Sequence, residues 1–341
     1  MQARTPSAWP SILACLLLIA LLGPAHAERL IPVVLATAGP GNLSHLPVDL
    51  IKKIGADRAE GINLEVRYFP GGPLAFKDML EKNADFAVAG APALAALRLK
   101  GEPVVSIATV NRVPTFTLMV RRDLEGKVKR VADLRGRVIG VNTSSVASKS
   151  TSQQVAEYLL RTAGVDPERV HFVPAGQSLE DQTAALDSGA VDALMGDEPF
   201  ASQLKQAGKV YILADLHDRQ TVRSFYGGLF LNAQLATRSD VLAQRPALAA
   251  RMVRVLRRTL QWIAAHSPEE IAARLDTRDR ALLIDLLRRH KAIYSPDGAF
   301  TEEQIRTAER FFQATHANDP EAQRFRFSQM IDPRWAGLAS R

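Results

Sequence analysis

From residue 30 onward the apolar positions fall into short runs with two alternating periods. "LIPVVLA" at 30–36 and "ADFAVAG" at 84–90 are apolar runs of strand length. "INLEVRYFP" at 62–70 alternates, with Ile62, Leu64, Val66 and Tyr68 on one face, which is a strand signal. "VDLIKKIGADRAEG" and "GGPLAFKDMLEK" carry helical patterns, the first ending at Gly61. "PALAALRLKG" is another helix with Gly101 just past it, and "PVVSIATV" another strand. This order of alternating strands and helices predicts a mostly parallel sheet flanked by helices.

The rhythm resumes after "PTFTLMVRRDLEGK". "RVADLRGRVIGVN" gives a short helix and a strand, and "SSVASKSTSQQVAEYLLRTAG" a helix that stops at Gly164. "ERVHFVPAG", "AVDALMGD" and "KVYILADL" are strands. Between them lie the helices "SLEDQTAALDSG", with a capping-box-like start at Ser178 and Asp181, and "EPFASQLKQAG". "SFYGGLFLN" at 224–232 reads as an extended segment that crosses back, and beyond Ser239 the chain is nearly all helix. Two α/β units joined by two extended crossings predict a hinged, two-lobed molecule. Ligands of such sheets sit outside the carboxyl ends of the strands.

The N-terminus changes the picture. "SILACLLLIALL" is apolar but too short to span a bilayer, and Ala25-His26-Ala27 fits the small-x-small rule for signal-peptide cleavage. The expected cut after Ala27 makes residues 1–27 a leader and the mature protein exported and periplasmic. Cys15, the chain's single cysteine, lies within that leader, and most of the apolar core follows it, which disfavours lipidation. The mature chain therefore has no disulfide, thiol nucleophile or cysteine-ligated zinc.

Composition adds less. The 341 residues carry a formal charge of +7, with basic residues scattered and aromatics sparse. That pattern gives no nucleic-acid footprint. None of the HExxH, GxSxG, Walker A or Rossmann fingerprints occurs, and no histidine falls in the Gly90 or Asn142 turns. The reading is therefore not an enzyme, with no catalytic residue, no cofactor and no metal.

Five stretches occur together in one order: "GINLEVRYFPGG", "ADFAVAGAPALAALRLKGEPVVSIA", "ADLRGRVIGVN", "AALDSGAVDALMGDEPF" and "RPALAARMVRVLRRTLQWIAAHSPEE". In these the chain resembles the periplasmic solute-binding proteins of ABC importers, in the branch that takes nitrate, sulfonates, taurine and thiamine-pyrimidine precursors. The resemblance implies the two-lobe type II periplasmic-binding fold, an α/β fold with C-terminal helices on lobe one. It also implies a discontinuous lobe one of residues 28–117 plus 224–341, and a lobe two of residues 118–223. The hinges would lie around residues 114–120 and 222–230. A small polar solute and the membrane subunits of an ABC permease are the implied partners of a monomeric receptor. A solute-sensing subunit of a signalling system is the first alternative, and an enzyme on the same fold the second.

Candidate contacts follow from the loops at the strand ends. Gly90-Ala91-Pro92 places small residues at a helix start, where free N–H groups and the helix dipole attract an anionic or carbonyl oxygen. Asn142, Thr143, Ser144, Ser145 and Ser148 offer an amide and small hydroxyls before a helix, more than capping requires. In the loop after the first strand Gly39 and Gly41 permit close approach and Asn42 and Ser44 offer polar contacts, while His45 reads as a solvated loop histidine. Gly71-Gly72 reads as a turn. Glu198 occupies the place where the family usually carries an acid before proline. It faces the cleft to receive an amine or amidine, or it caps the helix that follows. Phe116, Phe225 and Tyr226 serve as an aromatic wall or as hinge packing.

Overall fold

The computed structural model describes residues 29–143, 149–217 and 219–339. Ten strands build two five-stranded sheets. The first sheet contains β1 (Ile31–Ala38), β2 (Ile62–Phe69), β3 (Phe86–Gly90) and β4 (Val104–Thr109). The second contains β5 (Phe116–Arg121), β6 (Val138–Val141), β7 (His171–Pro174), β8 (Ala193–Asp197) and β9 (Val210–Asp215). The tenth strand, β10 (Ala233–Arg238), returns to the first sheet.

The sheet orders are β2-β1-β3-β10-β4 and β7-β6-β8-β5-β9. In each, three neighbouring strands are parallel, as βαβ connections require. The strands that carry the chain between the sheets are the antiparallel ones. β10 lies antiparallel between β3 and β4, and β5 lies antiparallel between β8 and β9. Each crossing strand is thus wedged into the middle of a sheet rather than hung on its edge. Burial fits this placement: Leu235 and Ala236 on β10 and Val120 on β5 are fully buried.

Helix ends obey local chemistry. Ser150 caps Thr151–Thr162 by accepting from Gln153 N, and Ser178 caps Leu179–Asp187 by accepting from Asp181 N. Pro92 stands in the first turn of Ala91–Leu99, where no donor is required. Among the described residues no helix is long and apolar enough to cross a membrane.

Three expectations are corrected. The segment at 222–230 is not extended throughout, because Arg219–Tyr226 is helical. Gly227 and Gly228, both at positive φ, end that helix, and the crossing shrinks to the residues just before β10. The Tyr226 ring explains the helix: it is buried against Tyr158, Phe230 and Phe311. The helix expected over "VDLIKKIGADRAEG" stops at Ile51, and left-handed Gly55 lies in the turns that precede the short 3-10 segment Arg58–Glu60. The long helix expected from residue 144 starts at Thr151. The leader 1–27 and Ser144, Ser145 and Ser148 lie outside the described residues.

Candidate functional site

The loops at the carboxyl ends of β1, β3, β6 and β8 converge on one hollow between the sheets. It is lined from the first sheet's side by Ser44, His45, Gly90 and Asn232, and from the second's by Asn142, Thr151, Gln177 and Asp197. Its volume is only about 40 Å³. An apolar cavity of about 150 Å³ is needed to take a benzene ring, so this space holds a small functional group and no more.

The two halves touch around it. Leu43 N donates to the Glu198 carbonyl at 2.7 Å, and Ser44 Oγ donates to Asp197 Oδ2 at 2.7 Å. Glycines permit the closest approaches. A Cβ on Gly90 would stand 2.0 Å from Thr151 Oγ1, and one on Gly71 would stand 2.7 Å from Thr143 Oγ1. Gly39 lies against Gln177 in the same way, at 3.2 Å from its Cβ. The lobes are therefore shut, and their contact needs side-chain-free backbone at 39, 71 and 90.

Asp197 dominates the electrostatics. It ends β8 and is buried, with Ser44 donating to one carboxylate oxygen and Glu198 N donating to the other at 2.8 Å. Thr115 Oγ1 is hydrogen-bonded to Ser44 Oγ and assists the carboxylate. Burial outweighs these donors and pushes the carboxyl up to about 6. His45 goes the other way: burial lowers it to about 4, so it is neutral at pH 7. Its Nδ1 has no hydrogen-bond partner, nor do Asn142 Oδ1 and Thr151 Oγ1. Three polar atoms in the lining thus await a partner. No lysine or arginine among the described residues lines the hollow, and the undescribed stretch 144–148 has no charged residue.

The expected contacts divide. Gly90 and Asn142 line the hollow. Ala91 does not offer a free N–H, because it donates to Asn232 O at 2.7 Å, and Pro92 is buried in the helix start. Asn42 locks its own loop, donating to Gly39 O and accepting from His45 N. Gly41 faces an outer groove and donates to Asp49. Thr143 is buried behind the lining, beside Gly71. Glu198 points at the helix after Pro199, where it accepts from both N and Oγ of Ser202. The acid in the hollow is its neighbour Asp197.

Sequence reasoning passed over Thr151, Gln177 and Asp197 as contacts; it named Ser44 as a polar group of its loop without assigning it to the site, and left His45 as a solvated loop residue. For Asp197 a signal existed: it is the last residue of an otherwise apolar strand, and Glu198 alone has the spacing to cap Ser202. For Gln177 the sequence carries none.

The fold these two sheets define is that of the periplasmic binding proteins. A Candida albicans protein described as exhibiting the generic periplasmic binding protein fold superposes with a TM-score of 0.69 at 16% identity, over 92% of this chain and 99% of that one. The alkanesulfonate-binding protein SsuA of Xanthomonas axonopodis pv. citri does so with a TM-score of 0.68 at 16% identity, over 90% and 98%. A protein of Bordetella bronchiseptica RB50 reaches 0.79 at 24% identity, over 92% and 95%. Within that fold, the NMT1/THI5-like pattern matches residues 58–271, and the chain belongs to the NMT1/THI5-like family.

Proposed function

We propose that this protein is the exported, periplasmic receptor of an ABC importer, which closes its lobes over a small solute and delivers it to the membrane permease. The observation that supports this most is the hollow itself: one buried site, lined from both sheets by residues that include His45, Asn142 and Thr151, each with a buried polar atom that has no partner. A solute touching both halves favours the shut form by its differential affinity, which is the basis of closure. The contacts we assign to it are Gly90, Asn142, Ser44, His45, Thr151 and Asp197.

The lining also selects among solutes. Asp197 and the unpartnered Asn142 Oδ1 are acceptors, and the neutral His45 brings no charge to meet an anion. Of the classes implied by the resemblance, those with an amino group, taurine and the aminopyrimidines, satisfy these acceptors. Nitrate and simple sulfonates leave a buried carboxylate facing an anion, a like-charge contact. A thermal-shift panel tests this, because a tight solute raises Tm by mass action. Taurine, 4-amino-2-methylpyrimidine and acetamidine are compared with nitrate and ethanesulfonate. Shifts confined to the amino-bearing members are expected; shifts from nitrate or ethanesulfonate alone would refute the selectivity.

A further inference from the structure

Asn142 lies just beyond the last rung between β6 and β8, which pairs Val141 with Met195. Its peptide groups take their partners from side chains instead. Asn142 N donates to Ser152 Oγ at 3.1 Å, and Asn142 O accepts from Gln177 Nε2 at 2.5 Å. Both partners are themselves held. Ser152 Oγ is hydrogen-bonded at 2.9 Å to Ser150 Oγ, the cap of the helix Thr151–Thr162. Gln177 follows Gly176, whose left-handed φ of 72° turns the chain, and Gly176 N donates to Thr143 O at 3.0 Å. The main chain of Asn142 is therefore pinned at both its N–H and its carbonyl, while its side-chain Oδ1 is buried without a partner.

Gln177 also meets the other lobe. A Cβ on Gly39, in the loop after β1, would stand 3.2 Å from the Gln177 Cβ. In the shut form lobe one thus packs against the stem of the side chain that holds Asn142. Gln177 and Asn142 both line the hollow, and Gln177 lines the outer groove as well, which places it at the rim of the site.

We infer that Gln177 is a positioning residue for the solute. From lobe two it clamps the Asn142 peptide, so that Asn142 Oδ1 is preset to accept an N–H from a donor head whose other N–H goes to Asp197. Lobe one backs the clamp through Gly39 when the lobes close. An acceptor fixed in advance spares the solute the ordering of that side chain on binding, which strengthens the complex without a direct contact from Gln177. This rests on the receptor reading above and deepens it by naming a residue that acts on the solute through another.

A double-mutant cycle read by calorimetry with acetamidine on the mature chain tests the inference. Gln177→Met keeps the length of the side chain and removes its donor, and should weaken binding about fivefold or more. Asn142→Ala removes the acceptor and should weaken binding at least as much. The double variant should match Asn142→Ala within about twofold, because the clamp has nothing left to position. Gln177→Leu, which lacks the same donor, takes the place of Gln177→Met if urea melts show that the latter does not fold. An unchanged Kd in the folded Gln177 variant, or losses that multiply in the double variant, would overturn the clamp and leave the receptor reading standing. No binding of acetamidine to the unsubstituted chain would overturn the donor-headed solute and the clamp with it.

Discussion

Adding one methyl group at Gly90 should hold the lobes apart. Gly90 has φ −70° and ψ 137°, an extended conformation open to any residue, so alanine strains no backbone there. The obstacle lies on the opposite lobe. The new Cβ would meet Thr151 Oγ1 at 2.0 Å, Thr151 Cβ at 2.8 Å and Thr151 Cγ2 at 3.1 Å. A rotation about χ1 moves Oγ1 away but leaves the Cβ contact, because Thr151 is anchored as the first residue of a capped helix. Overpacking of this kind costs about 1–3 kcal/mol. The cost falls only on the shut state, since in the open state the two residues are apart. Affinity for an amino-bearing solute of the panel should therefore drop about 5- to 150-fold. Stability of the unliganded chain should stay within about 0.5 kcal/mol. Calorimetric Kd and urea melts read the two quantities separately. Gly90→Ala/Thr151→Ala should recover part of the loss, as coupled neighbours do. An unchanged Kd in Gly90→Ala would refute the argument that solute capture requires this contact.

Other consequences are independent of that contact. Asp197 ionises near pH 6 in the folded chain against 3.8 for the ordinary group, so burial of its charge lowers stability as pH rises from about 4 to 6, and not below that range. A cationic head needs the ionised form, so its association constant should fall about tenfold per unit below pH 6; a flat profile from pH 7.5 to 5 would contradict the assignment. Tyr226 OH is fully buried without a partner, so Tyr226→Phe should be neutral or raise stability by about 1 kcal/mol in urea melts. Arg238, buried on β10, donates to Met79 O and Ala84 O and pairs with Asp240; Met79 O also accepts from Lys82 N, so Arg238→Met leaves the Ala84 carbonyl unpaired and should cost about 1–3 kcal/mol.

The sequence conveyed the order of elements well, because buried strands such as Phe86–Gly90 are continuous apolar runs and helices such as Thr151–Thr162 carry a cap. It also located the loops at 90 and 142, where a close approach demands glycine or a small polar turn. It failed at Arg219–Tyr226, where "RQTVRSFYGG" has a polar stretch without a clear helical period, and where packing of Tyr226 on Phe230 and Phe311 from distant segments decides the conformation. It chose Glu198 over Asp197 because the resemblance puts an acid directly before proline, with capping of the next helix as the other reading. Only the register of β8 against β5, which pairs Asp197 with Phe116, sends the first into the hollow and leaves the second to Ser202. His45 looked like a surface residue because nothing local shows that the Leu43–Leu46 stretch is covered by the other lobe.

The most direct test of the central claim is the affinity of Asp197→Asn for acetamidine and for ethanesulfonate, measured by calorimetry at pH 7.5. The substitution keeps the size of the side chain and removes its charge. A buried carboxylate that receives the solute's donor head predicts at least a tenfold loss for acetamidine and unchanged or improved binding of ethanesulfonate. Unaltered acetamidine affinity, or loss of ethanesulfonate binding instead, would contradict it.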